Sequence, residues 1–285
     1  MADAAILAKE VESFYRAFLD GFNREDTDMY LRSFCYPNGI LSGERGLIIN
    51  AKESDIQRFY QEVMSSIQER GWDHTGVTQL QIWPTTENMA FLVADISRYK
   101  KDNSVLESGR YCYTVRKGKG VWKVLTLTEI KPPFSGPMAT RESAAEAKPL
   151  IGEIENFYRD YIVGFNAEDR AAFVRCYAHP HAFLVDEKGM ILTSTVADHE
   201  RAYQQIMTTL HERGWGRSVT DQLQVWPFSQ QTALIVADVT RYKKDQSVLE
   251  KLRASYMLQK ENGAWKILTV AEIKPPFSGP GERRP

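Results

Sequence analysis

Apolar residues recur at helical spacing twice in the first half of the chain. Val11, Phe14, Tyr15, Phe18 and Phe22 make one stripe, which predicts a long opening helix broken at Gly21-Phe22-Asn23. Asp26 then suits the N-cap of a second, short helix running through Phe34 and ended by Pro37. The second stripe, Ile56, Tyr60, Val63, Met64 and Ile67, predicts a helix from about Glu53 to Arg70, with Gly71 closing it. Between the helices, "GILSGERGLII" reads as a small hairpin. Beyond Gly71 the period changes from helical to extended. "VTQLQIW", "MAFLVADISRYKK", "VLESGRYCYTVRK" and "VWKVLTLTEI" are β-branched and aromatic, and Pro84, Asp102-Asn103 and "KGKG" separate them. The order predicts an α+β domain, three helices followed by a meander of long antiparallel strands. The second and third of these long strands are apolar on both faces, so both sides of the sheet need cover.

The same pattern then returns. "EIKPPFSGP" occurs at Glu129–Pro137 and at Glu272–Pro280, and Trp83 with Trp226, like Asn23 with Asn166, keeps the same offset of 143 positions. No gap interrupts the match, and a period of this length is a whole small domain rather than a solenoid unit. The chain is a duplication: residues 1–137 as the first domain, 138–149 as a linker, 150–285 as the second.

Charges inside the strands carry register. A two-residue Asp102-Asn103 loop places Asp95 opposite Arg110 and Arg98 opposite Glu107; the second copy places Asp238 opposite Arg253 and Arg241 opposite Glu250. These read first as cross-strand ion pairs. Asp95 and Asp238 sit among Val, Ala and Ile, which makes their pairs the more buried ones and candidates for a pocket wall.

The element order, together with Phe14-Tyr15, Asn23, Asp26 and Trp122-Lys123, resembles the NTF2-like superfamily over about Val11–Ile130 and Ile154–Ile273. Its members include SnoaL-type polyketide cyclases, ketosteroid isomerase, scytalone dehydratase and limonene epoxide hydrolase. The resemblance implies a cystatin-like cone, three helices on a bent antiparallel sheet, with a ligand cavity between them. It also implies that the two repeats pair sheet to sheet as the family's dimers do, giving a monomeric pseudo-dimer. Neither the acids of ketosteroid isomerase nor the Asp-Arg-Asp set of the epoxide hydrolase is matched residue by residue. Fold alone therefore leaves the activity open.

Composition narrows the classes. With 285 residues, 43% hydrophobic and 26% charged, the chain has room for two ordinary cores, and a net charge of −1 gives no field for nucleic acid. No apolar run approaches membrane-spanning length, and the opening segment lacks the pattern of a signal peptide. Cys35, Cys112 and Cys176 fall at non-equivalent places, which argues against a disulfide framework or metal site and fits a cytoplasmic location.

Differences between the copies point to a site. His199 replaces Ile56 on the third helix's apolar stripe, and Tyr161 replaces Phe18 on the first helix's stripe. Two polar residues on inward stripes predict a wetter cavity in the second repeat. We expect His199, Tyr161 and Asp238 as its catalytic groups, with Arg253, Tyr158, Tyr203, Ser255 and Thr269 lining it. The expected partner is a small apolar, aromatic or polyketide-like molecule, processed by acid–base chemistry (isomerase, cyclase or dehydratase) without metal or cofactor. A non-catalytic binding or assembly module is the competing reading, and a protein scaffold using the sheet or "PPFSGP" edges a third. His179 and His181, flanking Pro180 at the expected end of the second helix, and His211, on a polar helix face, read as structural or surface residues.

Overall fold

A computed structural model describes residues 3–138 and 141–281. In the first repeat, α1 (Ala4–Asn23) and α2 (Thr27–Arg32) lead into β1 (Phe34–Ser42) and β2 (Gly46–Asn50). Then follow α3 (Glu53–Gln68), β3 (Trp72–Pro84), β4 (Met89–Lys100), β5 (Val105–Gly118) and β6 (Val121–Ile130). The second repeat runs through α4 (Arg141–Asn166), α5 (Arg170–Arg175), β7 (Tyr177–Val185), β8 (Gly189–Thr193) and α6 (Val196–Glu212). It ends in β9 (Trp215–Pro227), β10 (Thr232–Lys243), β11 (Val248–Glu261) and β12 (Ala264–Ile273). Segment 138–149, read as a linker, is largely helical: α4 begins at Arg141 and carries Pro149 inside it. The alanine-rich run Ala144-Ala145-Glu146-Ala147 favours that extension.

Each repeat builds one six-stranded sheet, ordered β2-β1-β6-β5-β4-β3 and β8-β7-β12-β11-β10-β9. The sheets are mixed rather than purely antiparallel, because β1 runs parallel to β6 and β7 parallel to β12. The chain separates into two compact units, one made mostly of the first repeat and the other mostly of the second. Among the described residues, no helix is long and apolar enough to cross a membrane.

The helical stripes are the buried faces: Val11, Tyr15, Phe18 and Phe22 on α1, and Ile56, Tyr60, Met64 and Ile67 on α3. Asp26 and its copy Asp169 cap the short helices, accepting from the Met29 and Ala172 amides at 2.9 Å. The repeated Gly-Phe-Asn has a backbone role. Asn23 receives the Thr75 amide and donates to the Thr75 carbonyl, both at 2.9 Å, and Asn166 does the same to Ser218 at 2.8 Å. This clamp fixes the opening helix on the edge strand of each sheet.

All four cross-strand pairs stand in the expected register: Asp95–Arg110, Arg98–Glu107, Asp238–Arg253 and Arg241–Glu250. The turn that sets it differs from expectation. Lys100 bonds to Ser104 across the turn, and a bulge between Arg98 and Tyr99 takes up one residue, which restores the pairing from Arg98 inward. β4 and β10 are buried on both faces along most of their length.

The short helices end at Arg32 and Arg175, so Pro37 and Pro180 lie within strands β1 and β7 rather than beyond a helix. His179 and His181 are therefore strand residues.

Candidate functional site

In a strand, alternate side chains share a face. Tyr177, His179 and His181 follow one another in that way along β7, and His199 stands in the first turn of α6 behind its Thr195 cap. The rings converge. His181 and His199 lie 4.4 Å apart between centroids, His179 and His199 5.6 Å, and His179 and His181 5.9 Å. Tyr177 packs on His199 at 4.1 Å and on His181 at 4.8 Å, while Phe173 of α5 holds the other side of His199 at 5.5 Å. Tyr161 of α4 closes the group, its hydroxyl 3.0 Å from that of Tyr177.

His181 and His199 are 0% and 1% exposed, and neither ring nitrogen of either residue has a hydrogen-bond partner. Nε2 of His179 is likewise buried and unpaired. Burial pushes His181 down to about 3 and His199 down to about 4, and neighbouring imidazoles push the same way. The Ala178 carbonyl slightly opposes the shift of His181 without reaching hydrogen-bond geometry. His179 is lowered too, first by burial and then by Lys266, against Glu261 and Asp198. Burial raises the phenols of Tyr161 and Tyr177, so both stay protonated. At neutral pH the cluster is three uncharged imidazoles beside a pair of hydroxyls.

A cleft of about 640 Å³ reaches this cluster, with Tyr177 and His179 in its wall. Val196, Glu200, Glu261 and Lys266 also line it, so the approach is part apolar and part charged.

The residues expected to form one site divide between the two faces of the second sheet. Tyr158 and Tyr161 of α4 pack on Tyr256 of β11, which marks that face as the helix side. His199 and Tyr203 of α6 share Phe173 and belong there as well. Arg253 and Ser255 alternate with Tyr256 and so point to the opposite face. Asp238, opposite Arg253 in register, and Thr269, opposite Met257, go with them. Arg253, 1% exposed, pairs with Asp238 and donates to Gln224 at 3.1 Å, and Ser255 donates to the Ala271 carbonyl at 3.3 Å. The expected union of Asp238 with His199 and Tyr161 is therefore not made; Tyr177 is the partner of Tyr161 instead. His179, His181 and Tyr177 were missed. The available signal was the strand period, had Pro180 been placed within a strand.

His211, by contrast, is a surface residue as expected, 3.1 Å from Glu168. The three cysteines are free thiols.

A family of NTF2-like proteins, DUF6841, matches the chain twice, over residues 9–131 and 152–275. The chain belongs to this family. The two matches also show the tandem duplication. Similar solved structures include a Nostoc punctiforme protein of unknown function with a cystatin-like fold, 14% identical, TM-score 0.37, covering 44% of this chain and 90% of that one. An NTF2-like protein of unknown function from Shewanella oneidensis is 13% identical, TM-score 0.35, covering 42% and 96%. Another from Pseudomonas putida is 15% identical, TM-score 0.36, covering 44% and 85%. No curated protein matches the chain.

Proposed function

We propose that the second repeat is the working half of this NTF2-like chain, and that it binds and transforms a small, largely apolar molecule by acid–base chemistry centred on the imidazole cluster. The observation that carries this reading is the pair of fully buried histidines, His181 and His199, with all four ring nitrogens unpaired. Buried polar groups ordinarily have partners, and a residual set in one corner marks a place where a ligand completes the bonding. Tyr177 in the cleft wall offers an aromatic face to a flat ligand, and the Tyr161–Tyr177 hydroxyls supply a proton donor. Isomerisation, cyclisation and dehydration all use that combination.

The test is a thermal-shift and turnover screen of the full chain with small aromatic ketones and hydroxyketones, alongside mass spectrometry of molecules retained on purification. Binding or turnover lost in His199→Ile and in Tyr161→Phe supports the reading. Both exchanges import the first repeat's own residues, so little loss of stability is expected, and circular dichroism checks that each variant is folded. Activity that survives both places the site elsewhere.

A further inference from the structure

We infer that His179, His181 and His199 form the binding site of one divalent transition-metal ion, zinc being the ion best matched to them. The inference deepens the functional reading above and rests on it only for the role of the ion, not for its binding.

One nitrogen from each imidazole can be chosen so that all three lie within 4.8 Å of one another; among the described residues this is the one such grouping of histidine, cysteine or carboxylate side chains. A four-coordinate zinc with bonds of about 2.0–2.1 Å separates its ligand nitrogens by roughly 3.3 Å. Binding an ion would draw the three nitrogens together from within 4.8 Å to about that spacing. The unpaired nitrogens of the three rings need a common partner, and a single cation engages one nitrogen of each ring at once, which no hydrogen bond within the cluster achieves. The platform is rigid: two ligands stand two residues apart on β7, the third is in the capped first turn of α6, and Phe173, Tyr177 and Phe183 brace the rings.

The donor set selects the metal. All three ligands are neutral nitrogen donors, which suits zinc, copper, nickel or iron and disfavours calcium and magnesium, whose ligands are oxygens. Three protein ligands leave a coordination position open, as in catalytic rather than structural zinc sites. The cleft wall at Tyr177 and His179 gives water or a small ligand access to that position. An ion held there would polarise a carbonyl or activate a bound water, so the base would be that water and not His199 itself. This replaces the expectation of chemistry without a metal.

The test uses the full chain, stripped with EDTA and titrated with Zn²⁺ by calorimetry and with Co²⁺ by visible absorption. The expected result is one ion per chain and the d–d bands of four- or five-coordinate cobalt. His199→Ile and His181→Asn, which import Ile56 and Asn38, should each weaken binding by at least about 100-fold. If either fails to fold by circular dichroism, His179→Tyr, which imports Tyr36, takes its place. Wild-type protein that binds neither ion saturably, or binding that survives these exchanges, overturns the inference. Small aromatic ketones that bind stripped protein in a His199-dependent way, with no metal site found, overturn the metal and leave the function standing. Metal bound with the expected stoichiometry and histidine dependence, but no small-molecule binding or turnover, does the reverse.

Discussion

The same corner is built twice in this chain and finished in two ways. In the first repeat it holds Tyr36, Asn38 and Ile56. Asn38 accepts from Asn50 at 3.0 Å and donates to the Cys35 carbonyl at 2.9 Å, Tyr36 donates to the Leu31 carbonyl at 2.9 Å, and Ile56 asks for nothing. In the second repeat the equivalent positions are His179, His181 and His199; Thr193 replaces Asn50, and Tyr161–Tyr177 replaces the apolar Phe18–Phe34 pair. One corner satisfies itself, and the other leaves its imidazoles open. An unpaired buried polar group costs about 1–3 kcal/mol, so the open corner is maintained against stability. That cost fits the site proposed above, and the first repeat shows that the same fold can close this corner without it.

The largest expected effect concerns the opposite face of the sheet, where the repeats also differ. Arg253 is almost wholly buried, whereas the side chain of Arg110 is 22% exposed. Asp238→Asn leaves a buried guanidinium without its charge partner, an expected loss of about 3–5 kcal/mol in urea unfolding. Asp95→Asn leaves one that solvent still reaches, and the loss should be smaller, about 1 kcal/mol. Equal losses would show that the asymmetry in burial has no energetic meaning.

Next is a transplant of the sealed corner: His179→Tyr, His181→Asn, Thr193→Asn and His199→Ile together. In chelator, the four-fold variant should be more stable than the parent by about 2 kcal/mol, since it removes two fully buried unpaired imidazoles. A loss of stability would mean that packing, not function, separates the two corners. Tyr161→Phe should then cost about 1 kcal/mol by orphaning the Tyr177 hydroxyl, while Tyr161→Phe with Tyr177→Phe should be near neutral, because both partners go together. A double variant less stable than the single one would break the analogy with Phe18–Phe34.

The smallest effect tests where the repeats should not differ. Glu107 lies between Arg70 and Arg98, and Glu250 between Arg213 and Arg241. Burial raises each carboxyl, but the paired guanidiniums outweigh it and hold both below the usual range. Their stabilisation is therefore complete above the unfolded carboxylate pKa of about 4.3 and fades as pH falls through the lower folded value. Glu107→Gln and Glu250→Gln should each flatten the acid limb of the melting-temperature profile, and by the same small amount. Unequal flattening would show that the duplication has diverged here too.

Much of this was readable from residues alone. The duplication, the helix stripes, the caps at Asp26 and Asp169 and the ion-pair register follow from local period and from charges kept at a constant offset. So does the burial of His199 and Tyr161, because a stripe position points inward whatever residue occupies it. The tertiary structure decided which buried groups meet. Ending α5 at Arg175, with Pro180 inside β7 instead of at a helix end, turns His179 and His181 from helix-end residues into neighbours on one strand face, and only chain packing brings α6 across them. The same alternation sends Asp238, Arg253, Ser255 and Thr269 to the other side of the sheet. Inward direction is a local property of the backbone, set within a few residues. Juxtaposition depends on where each strand begins, and a shift of one residue there exchanges one face for the other.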